Sequence, residues 1–555
     1  MIKAKPETPD EAQDDVGTAI GAQDHGDQDE EELVADSLRR ALILVAMCVA
    51  LIAVVASVSG LNVAQQALAV DLRASQSQLL WVINGYTLAL ATLLLPIGAI
   101  GDRWGRKPIL LAGIVIFIGS NLASAFAADA GILIGLRVVT GVAAAMIMPV
   151  TLSIITTSFP PEARARAIGI WAGCAGTGGI LGLFVSAAIV DNATWPWVFT
   201  LPIVLASVSG ILSVAFVPHS REHQSAGFDT LGSVLSIFGV GGLVLALHEG
   251  PERGWSDPLS FGAVLVGAIA LVLFVVVELR RDHPLLDVRV FAIRGLAAGS
   301  LNLFVVFGVM FSLFVVLIQF LQAVLGYSAL QAASGMLPMA IAMMPLSILA
   351  PTLADRFGFR PVVVTGMICL GYGLVLIAVS AEAGGSYAAV LPGIVLLGVG
   401  AGMAMSPATA AITSSLPEEK QGVASALNDT MREMGASAAV ALVGSVLNVT
   451  YRSNIESFTS GLPRELAAPV NEGIGGAMAV VGQLGPGARP LLQAAQNAFV
   501  DGMRPALLFP AVVAFGCALF TAVRGPRDEL GVVPAEELEE PVTLLLDEEI
   551  FAFSD

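Results

Sequence analysis

Fourteen apolar stretches, each near the ~20 residues that a helix needs to cross a hydrocarbon layer, constrain this chain more than any other feature. They fall at 41–62, 81–101, 109–128, 131–154, 167–190, 198–217, 229–247, 259–279, 296–318, 332–354, 361–381, 388–414, 425–448 and 505–523. In lipid, backbone N–H and C=O groups must be satisfied internally, so such stretches are helices. Hydrophobic residues make up 56% of 555 and charged residues 13%, a balance outside soluble globular classes. The expected fold is all-α and integral to the membrane, with fourteen transmembrane helices.

The formal charge of −18 sits at the ends. Residues 1–36 carry −10 and 526–555 carry −9, which leaves 37–525 at +1. Acidic stretches of this kind are solvated and bury too little to fold. The first tail has no basic segment before its apolar run, so the first span is read as the insertion signal rather than a cleaved leader. With both termini cytoplasmic, that side holds nineteen Lys and Arg, among them Lys3, Lys5, Arg221 and Arg527, and the outer side holds six. That bias sets the orientation in the cell membrane. It also gathers Trp81, Trp195, Trp197 and Trp255 at the outer interface, where an aromatic belt belongs.

Several chemistries are excluded. Cys48, Cys174, Cys369 and Cys517 lie in apolar runs without a CxxC pair, and no HExxH appears, so no metal is expected. No Lys follows a Gly as a phosphate-cradling loop requires, so neither ATP nor another cofactor is expected, and no nucleic acid. No nucleophile–base constellation points to an enzyme.

One charged elbow occurs twice. "GAIGDRWGRKPIL" (Gly98–Leu110) and "APTLADRFGFRPVVV" (from Ala350) place Asp102 and Asp355 253 residues apart, each followed by Arg, an aromatic and Gly. The flanks repeat as well: "GVAAAMIMPVTLSIITTSFPPEARARA" from Gly141 is similar to "GVGAGMAMSPATAAITSSLPEEKQGVA" from Gly398. Both elbows fall on the cytoplasmic side with eight spans between them. Two six-helix bundles separated by an inserted pair account for that spacing, and repeated bundles around a midplane cavity are the architecture of alternating access. The expected division is an acidic tail (1–39), a first bundle (40–217), the inserted pair (218–290), a second bundle (291–523) with an outer segment (449–504), and an acidic tail (524–555). The outer segment is too long for a tight turn and is read as a gate or a hairpin.

At these residues the chain resembles the major facilitator superfamily, in its fourteen-span drug:proton antiporter branch. The elbow from Gly98, "LIGLRVVTG" (Leu133–Gly141), "FDTLGSVLSIFGVGGLVLALHEGPERGWSDP" (Phe228–Pro258), "GYSALQAASGMLP" and "GVASALNDTMREMG" carry the likeness. It implies a proton-coupled exporter of amphipathic small molecules, expected to work as a monomer among membrane lipids. The alternatives are export of anionic or lipid-like compounds with altered coupling, or a receptor that has lost transport.

The elbow residues Asp102, Arg103, Gly105, Arg106, Lys107, Asp355 and Arg356 are candidate conformational latches. Gly105 allows the tight turn, and Asp102 can meet Arg103, Arg106 or the positive N-terminus of a neighbouring helix. Arg137 lies roughly 9 Å into its span, where an Arg costs at least ~2.5 kcal/mol unless it finds a partner or a cavity. The resemblance places a carboxylate opposite it on span 1, but this chain has Ser57 there, keeps Asn62, and has Gln65 and Gln66 where Leu-Pro is usual. A second-span position acidic in some relatives is Asn84. The fifth-span "GPxxGG" signature is reduced to Gly182-Leu183-Phe184-Val185-Ser186-Ala187.

Acids remain in span 13. Asp429 and Glu433 share one helix face, with Glu433 roughly 12 Å deep. They are the candidates for proton exchange together with Arg137, while a static cluster with Arg432 is the competing reading. Ser57, Asn62, Asn84, Tyr86, Gln319 and Gln322 are candidate cavity residues, joined by Met339 and Met343, whose thioethers adapt to varied shapes. Asp229 is read as a helix cap.

Overall fold

The computed structural model describes residues 18–218, 228–281 and 283–526, with side chains from residue 37 on. Much of both acidic tails, with Lys3, Lys5, Arg221, Arg527 and the side chain of Gln66, lies outside that description. Among the described residues, fourteen helices are long and apolar enough to span a membrane. In chain order they are α1 Ser37–Asn62, α2 Ser77–Trp104, α3 Arg106–Ser124, α4 Ala130–Ser158, α5 Pro161–Asn192, α6 Trp195–Phe216, α7 Thr230–Arg253 and α8 Pro258–Glu278. After these come α9 Arg294–Val324, α10 Ala329–Phe357, α11 Phe359–Ser380, α12 Tyr387–Ser414, α13 Gln421–Thr459 and α14 Arg489–Arg524.

Local chemistry sets several of these ends. Ser75 and Gln78 form a capping box before α2, as Ser328 and Gln331 do before α10. Asp129 accepts from Ile132 N (2.9 Å) at the start of α4, and Asp229 accepts from Gly232 N (2.8 Å) at the start of α7. The helix containing α1 begins at Thr18, inside the acidic stretch, because extending a helix from a formed span needs no new nucleus.

The two bundles repeat each other's packing. In the first, α1 packs on α4, α5 and α6, α2 on α4, and α3 on α4 and α6. In the second, α9 packs on α12, α13 and α14, α10 on α12, and α11 on α12 and α14. Every pairing recurs eight helices later. The bundles meet along two seams, α2 against α13 and α5 against α10. The inserted pair α7–α8 rests beside the first seam, with α7 touching both α2 and α13. Only 28% of the apolar stretch of α8 is buried, against 78% of that of α4, so α8 faces lipid and α4 faces protein.

The segment 449–504 is helical rather than loop. α13 continues to Thr459, α14 begins at Arg489, and the helices Arg464–Glu472 and Ile474–Leu484 form a hairpin between them. Asn471 ties that hairpin down: its carbonyl accepts from Arg452 Nε (3.0 Å) and its side chain from Thr459 Oγ1 (2.9 Å).

Candidate transport site and interbundle latch

The first elbow crosses the seam. Asp102, buried at the end of α2, accepts from Gly422 N (2.8 and 2.9 Å to its two oxygens) and from Val423 N (3.2 Å). These are orphan donors in the first turn of α13, where the helix dipole favours a carboxylate. Arg106 adds an ion pair to Asp102 at 3.0 Å. Contact this close needs glycine on both helices. A Cβ on Gly422 would stand 2.4 Å from Gly98 O and 2.6 Å from the Asp102 carboxyl carbon, and one on Gly98 would stand 2.5 Å from Gly422 O. The other seam is equally tight, with Ser347 Oγ on α10 donating to Gly169 O on α5 (2.9 Å). The molecule is closed at its elbow end.

The remaining elbow residues do other work. Gly105 turns the chain at φ 102° and Gly358 at φ 89° in the repeat. Lys107 Nζ donates to Val214 O (2.9 Å) and Val217 O (2.7 Å), capping the C-terminus of α6. Arg360 makes the matching cap on α14, donating to Ala522 O (3.2 Å) and Gly525 O. Arg103 is exposed, and so are Asp355 and Arg356, whose guanidinium lies 5.4 Å from the Phe357 ring centre.

Arg137 is fully buried inside the first bundle. Its Nη1 donates to Ser57 Oγ (2.9 Å), its Nη2 to Ser57 O (3.2 Å) and its Nε to Val82 O (3.3 Å). The Tyr86 ring lies 4.4 Å from the guanidinium. Ser57 passes the chain on, donating to Asn121 Oδ1 (3.3 Å). All these acceptors are neutral: each nitrogen of Arg137 has a partner, and among the described residues no carboxylate forms an ion pair with it.

The second bundle holds the acids. Asp429 is fully buried on α13 and pairs with Arg432 at 2.9 Å, with Asn428 donating to the same oxygen at 3.2 Å. The Arg432 guanidinium stands 4.5 Å from the Phe307 ring centre on α9 and 5.3 Å from that of Trp171 on α5. Trp171 belongs to the other bundle and is itself fixed by donating to Thr151 Oγ1 (3.1 Å). Four polar atoms here have no hydrogen-bond partner: Asp429 Oδ2, Arg432 Nε, Asn428 Oδ1 and Ser425 Oγ. A buried pair of this kind is marginal in net stability, yet removing one partner costs ~3–5 kcal/mol because it strands a charge. Glu433 is half-buried, one turn along α13 from Asp429.

The remaining cavity candidates separate. Tyr86 is buried and donates to Val54 O (3.1 Å), Asn84 and Gln322 are half-buried, and Asn62 and Gln319 are exposed. Met339 and Met343 are fully buried, with Met343 filling the space above Gly176 on the α5–α10 seam. Three features escaped the sequence reading: the rings around Arg432, the Gly98–Gly422 contact and the basic caps on α6 and α14. The repeated flanks around Gly422 held a signal for the second.

The major facilitator superfamily profile matches residues 45–440. The chain belongs to this superfamily. It is a multi-pass membrane transporter and not an enzyme. It is 33% identical over 486 residues to the multidrug efflux pump LfrA of Mycolicibacterium smegmatis, covering 87% of this chain and 95% of that one. It is 30% identical to the methyl viologen resistance protein SmvA of Salmonella typhimurium (83% and 93% covered). A tetracenomycin C resistance and export protein of Streptomyces glaucescens is 28% identical (88% and 92%). Among solved structures, the proton:xylose symporter XylE superposes with a TM-score of 0.58 at 12% identity, over 90% of this chain and 98% of that one. The human organic anion transporter MFSD10 gives 0.56 at 14%, over 86% and 99%. Both show the shared superfamily fold.

Proposed function

We propose that this superfamily member is a proton-driven exporter of amphipathic small molecules across the cytoplasmic membrane, with both termini in the cytoplasm and the elbows on the cytoplasmic face. Relatives named for efflux and resistance, similar over most of their length, support export. The observation that carries proton coupling is the α13 pair. Asp429 is fully buried and Glu433 is half-buried at the seam, while no carboxylate contacts Arg137 in the first bundle. A carboxylate that is exposed by turns to either side can load a proton outside and release it inside. Antiport follows if substrate and proton compete for the same closed-to-open cycle.

The test is transport in proteoliposomes with an imposed pH gradient. Movement of a lipophilic cation should follow the gradient in wild type and fall at least tenfold in Glu433→Gln. Gradient-independent movement in wild type would refute coupling.

One observation favours a second substrate class. Among the described residues Arg137 has no ion-pair partner, so it presents a positive charge in the first bundle that disfavours cations and favours anionic groups. Anionic amphiphiles or lipid-like compounds are then the cargo. Ser57→Asp, which would supply a counter-ion, should slow an anionic dye and help a cation; the reverse ranking would exclude this reading.

A further inference from the structure

The cation of Arg432 is the part of α13 that touches both bundles. It pairs with Asp429 on its own helix and lies against Phe307 of its own bundle, but the Trp171 ring beside it belongs to α5 of the first bundle. Counting ~1.5 Å per residue, Trp171 lies ~15 Å from the start of α5 and Arg432 ~17 Å from the start of α13, so their depths agree. Trp171 lies on the elbow half of the 32-residue α5, so parting of the bundles from that end would break the contact. When the bundles part there, the Trp171 ring leaves and water reaches the guanidinium.

We infer that Arg432 is the positioning residue that converts the charge state of Asp429 into opening of the cytoplasmic seam. In the closed state the Arg432 charge is compensated by one carboxylate and two ring faces, with Nε left unpaired. A proton on Asp429 removes the carboxylate charge and leaves a buried cation without a counter-ion. The cheapest remedy is hydration, and hydration requires the cytoplasmic side to open. The proton then finds itself facing the cytoplasm and can leave, after which the re-formed ion pair favours closure.

The other carboxylate near Arg432 is Glu433, the next residue on α13, and among the described residues it forms no ion pair with Arg432. Arg137 of α4, the nearest cation of the first bundle named above, is held against Tyr86 of α2 inside its own bundle. Among the described residues, no side chain of another helix forms an ion pair or hydrogen bond with Asp429 or Arg432. This inference rests on Asp429 being a site of proton exchange. It adds the step by which that exchange moves the bundles.

The test is hydrogen exchange measured by mass spectrometry on the purified full chain, without substrate or gradient and at one pH. The readout is exchange in peptides covering Gly422–Ala426 and Ser347–Ala350, the two seams. Asp429→Asn imitates the protonated carboxyl and should raise exchange there at least tenfold. Arg432→Met leaves the Asp429 carboxylate unpaired, but a buried carboxyl can neutralise itself by taking up a proton whereas a guanidinium cannot, so exchange should stay within twofold of wild type. The double variant Asp429→Asn with Arg432→Met should return to within twofold of wild type, although it carries one more core change. A merely structural role predicts the opposite order, with the double variant as open as Asp429→Asn or more so; that result overturns the inference. If Asp429→Asn does not fold, Arg432→Met alone decides: exchange raised tenfold contradicts the proposal. A wild type that transports without a proton gradient would defeat the proposed function and leave this exchange pattern unaffected.

Discussion

The two elbows began as one sequence and ended with different work. Asp102 is buried and grips the first turn of α13, while Asp355 is exposed at the end of α10. The difference lies in the helix each would have to reach. α13 starts at Gln421 and offers free N–H groups at Gly422 and Val423, with no side chain in the way. α5 starts three residues earlier in the repeat, with Pro161 at its first position and Glu162 beside it. Proline has no N–H to give, and the N–H groups of Ala165 and Arg166, which match Gly422 and Val423, lie past the first turn of α5 and are spent within the helix. Duplicated motifs therefore do not imply duplicated contacts. The basic caps diverged less, since Lys107 and Arg360 each close the last helix of their own bundle.

The comparison is open to direct attack, and the largest effect is expected at Asp102. Asp102→Asn should weaken the closed seam at the elbow end by about 3 kcal/mol, since hydrogen bonds to a charged group contribute ~1.5–3 kcal/mol and several are lost together. Export should drop more than tenfold, whereas Asp355→Asn should change it less than twofold. Equal losses at the two sites would end the asymmetry. Gly422→Ala comes next, at ~1–3 kcal/mol for overpacking against Gly98 O. Changing Ala165, the matching residue of the first half, to Gly should leave export unaltered, and seam exchange rates would check both. The smallest effect is where the elbows agree: Lys107→Met and Arg360→Met should each lower stability by ~1 kcal/mol and to the same extent. Thermal melts in detergent that separate the two would show that the caps have diverged as well.

Much of this architecture was legible in the sequence because membrane physics leaves few options. Apolar length alone implied fourteen helices, and the distance between Asp102 and Asp355 implied bundles with a pair between them. Helix entry points were legible where a cap is local, as at Asp229 before α7. The site was less so. Asp429 and Glu433 announced themselves as charges in an apolar span, but their different burial depends on what α5, α9 and α2 bring up to them. Trp171 carries no sign in its own segment that it faces an arginine 261 residues away, since a ring in a span is usually core. Ser57 was legible as the span-1 position facing Arg137, yet that it meets the arginine through both its hydroxyl and its carbonyl follows from the packing of α1 against α4. Long-range pairings between helices leave no local trace.

The central claim is that proton exchange belongs to the second bundle alone. Proton release on adding a lipophilic cation to purified, weakly buffered protein tests it most directly, using a pH-sensitive dye and comparing wild type with Glu433→Gln, Asp429→Asn and Asn84→Ala. The account predicts release from wild type and Asn84→Ala, and at least a fivefold loss in each α13 variant. Undiminished release from the double variant Asp429→Asn with Glu433→Gln would contradict it, and would place the exchanging group elsewhere in the chain.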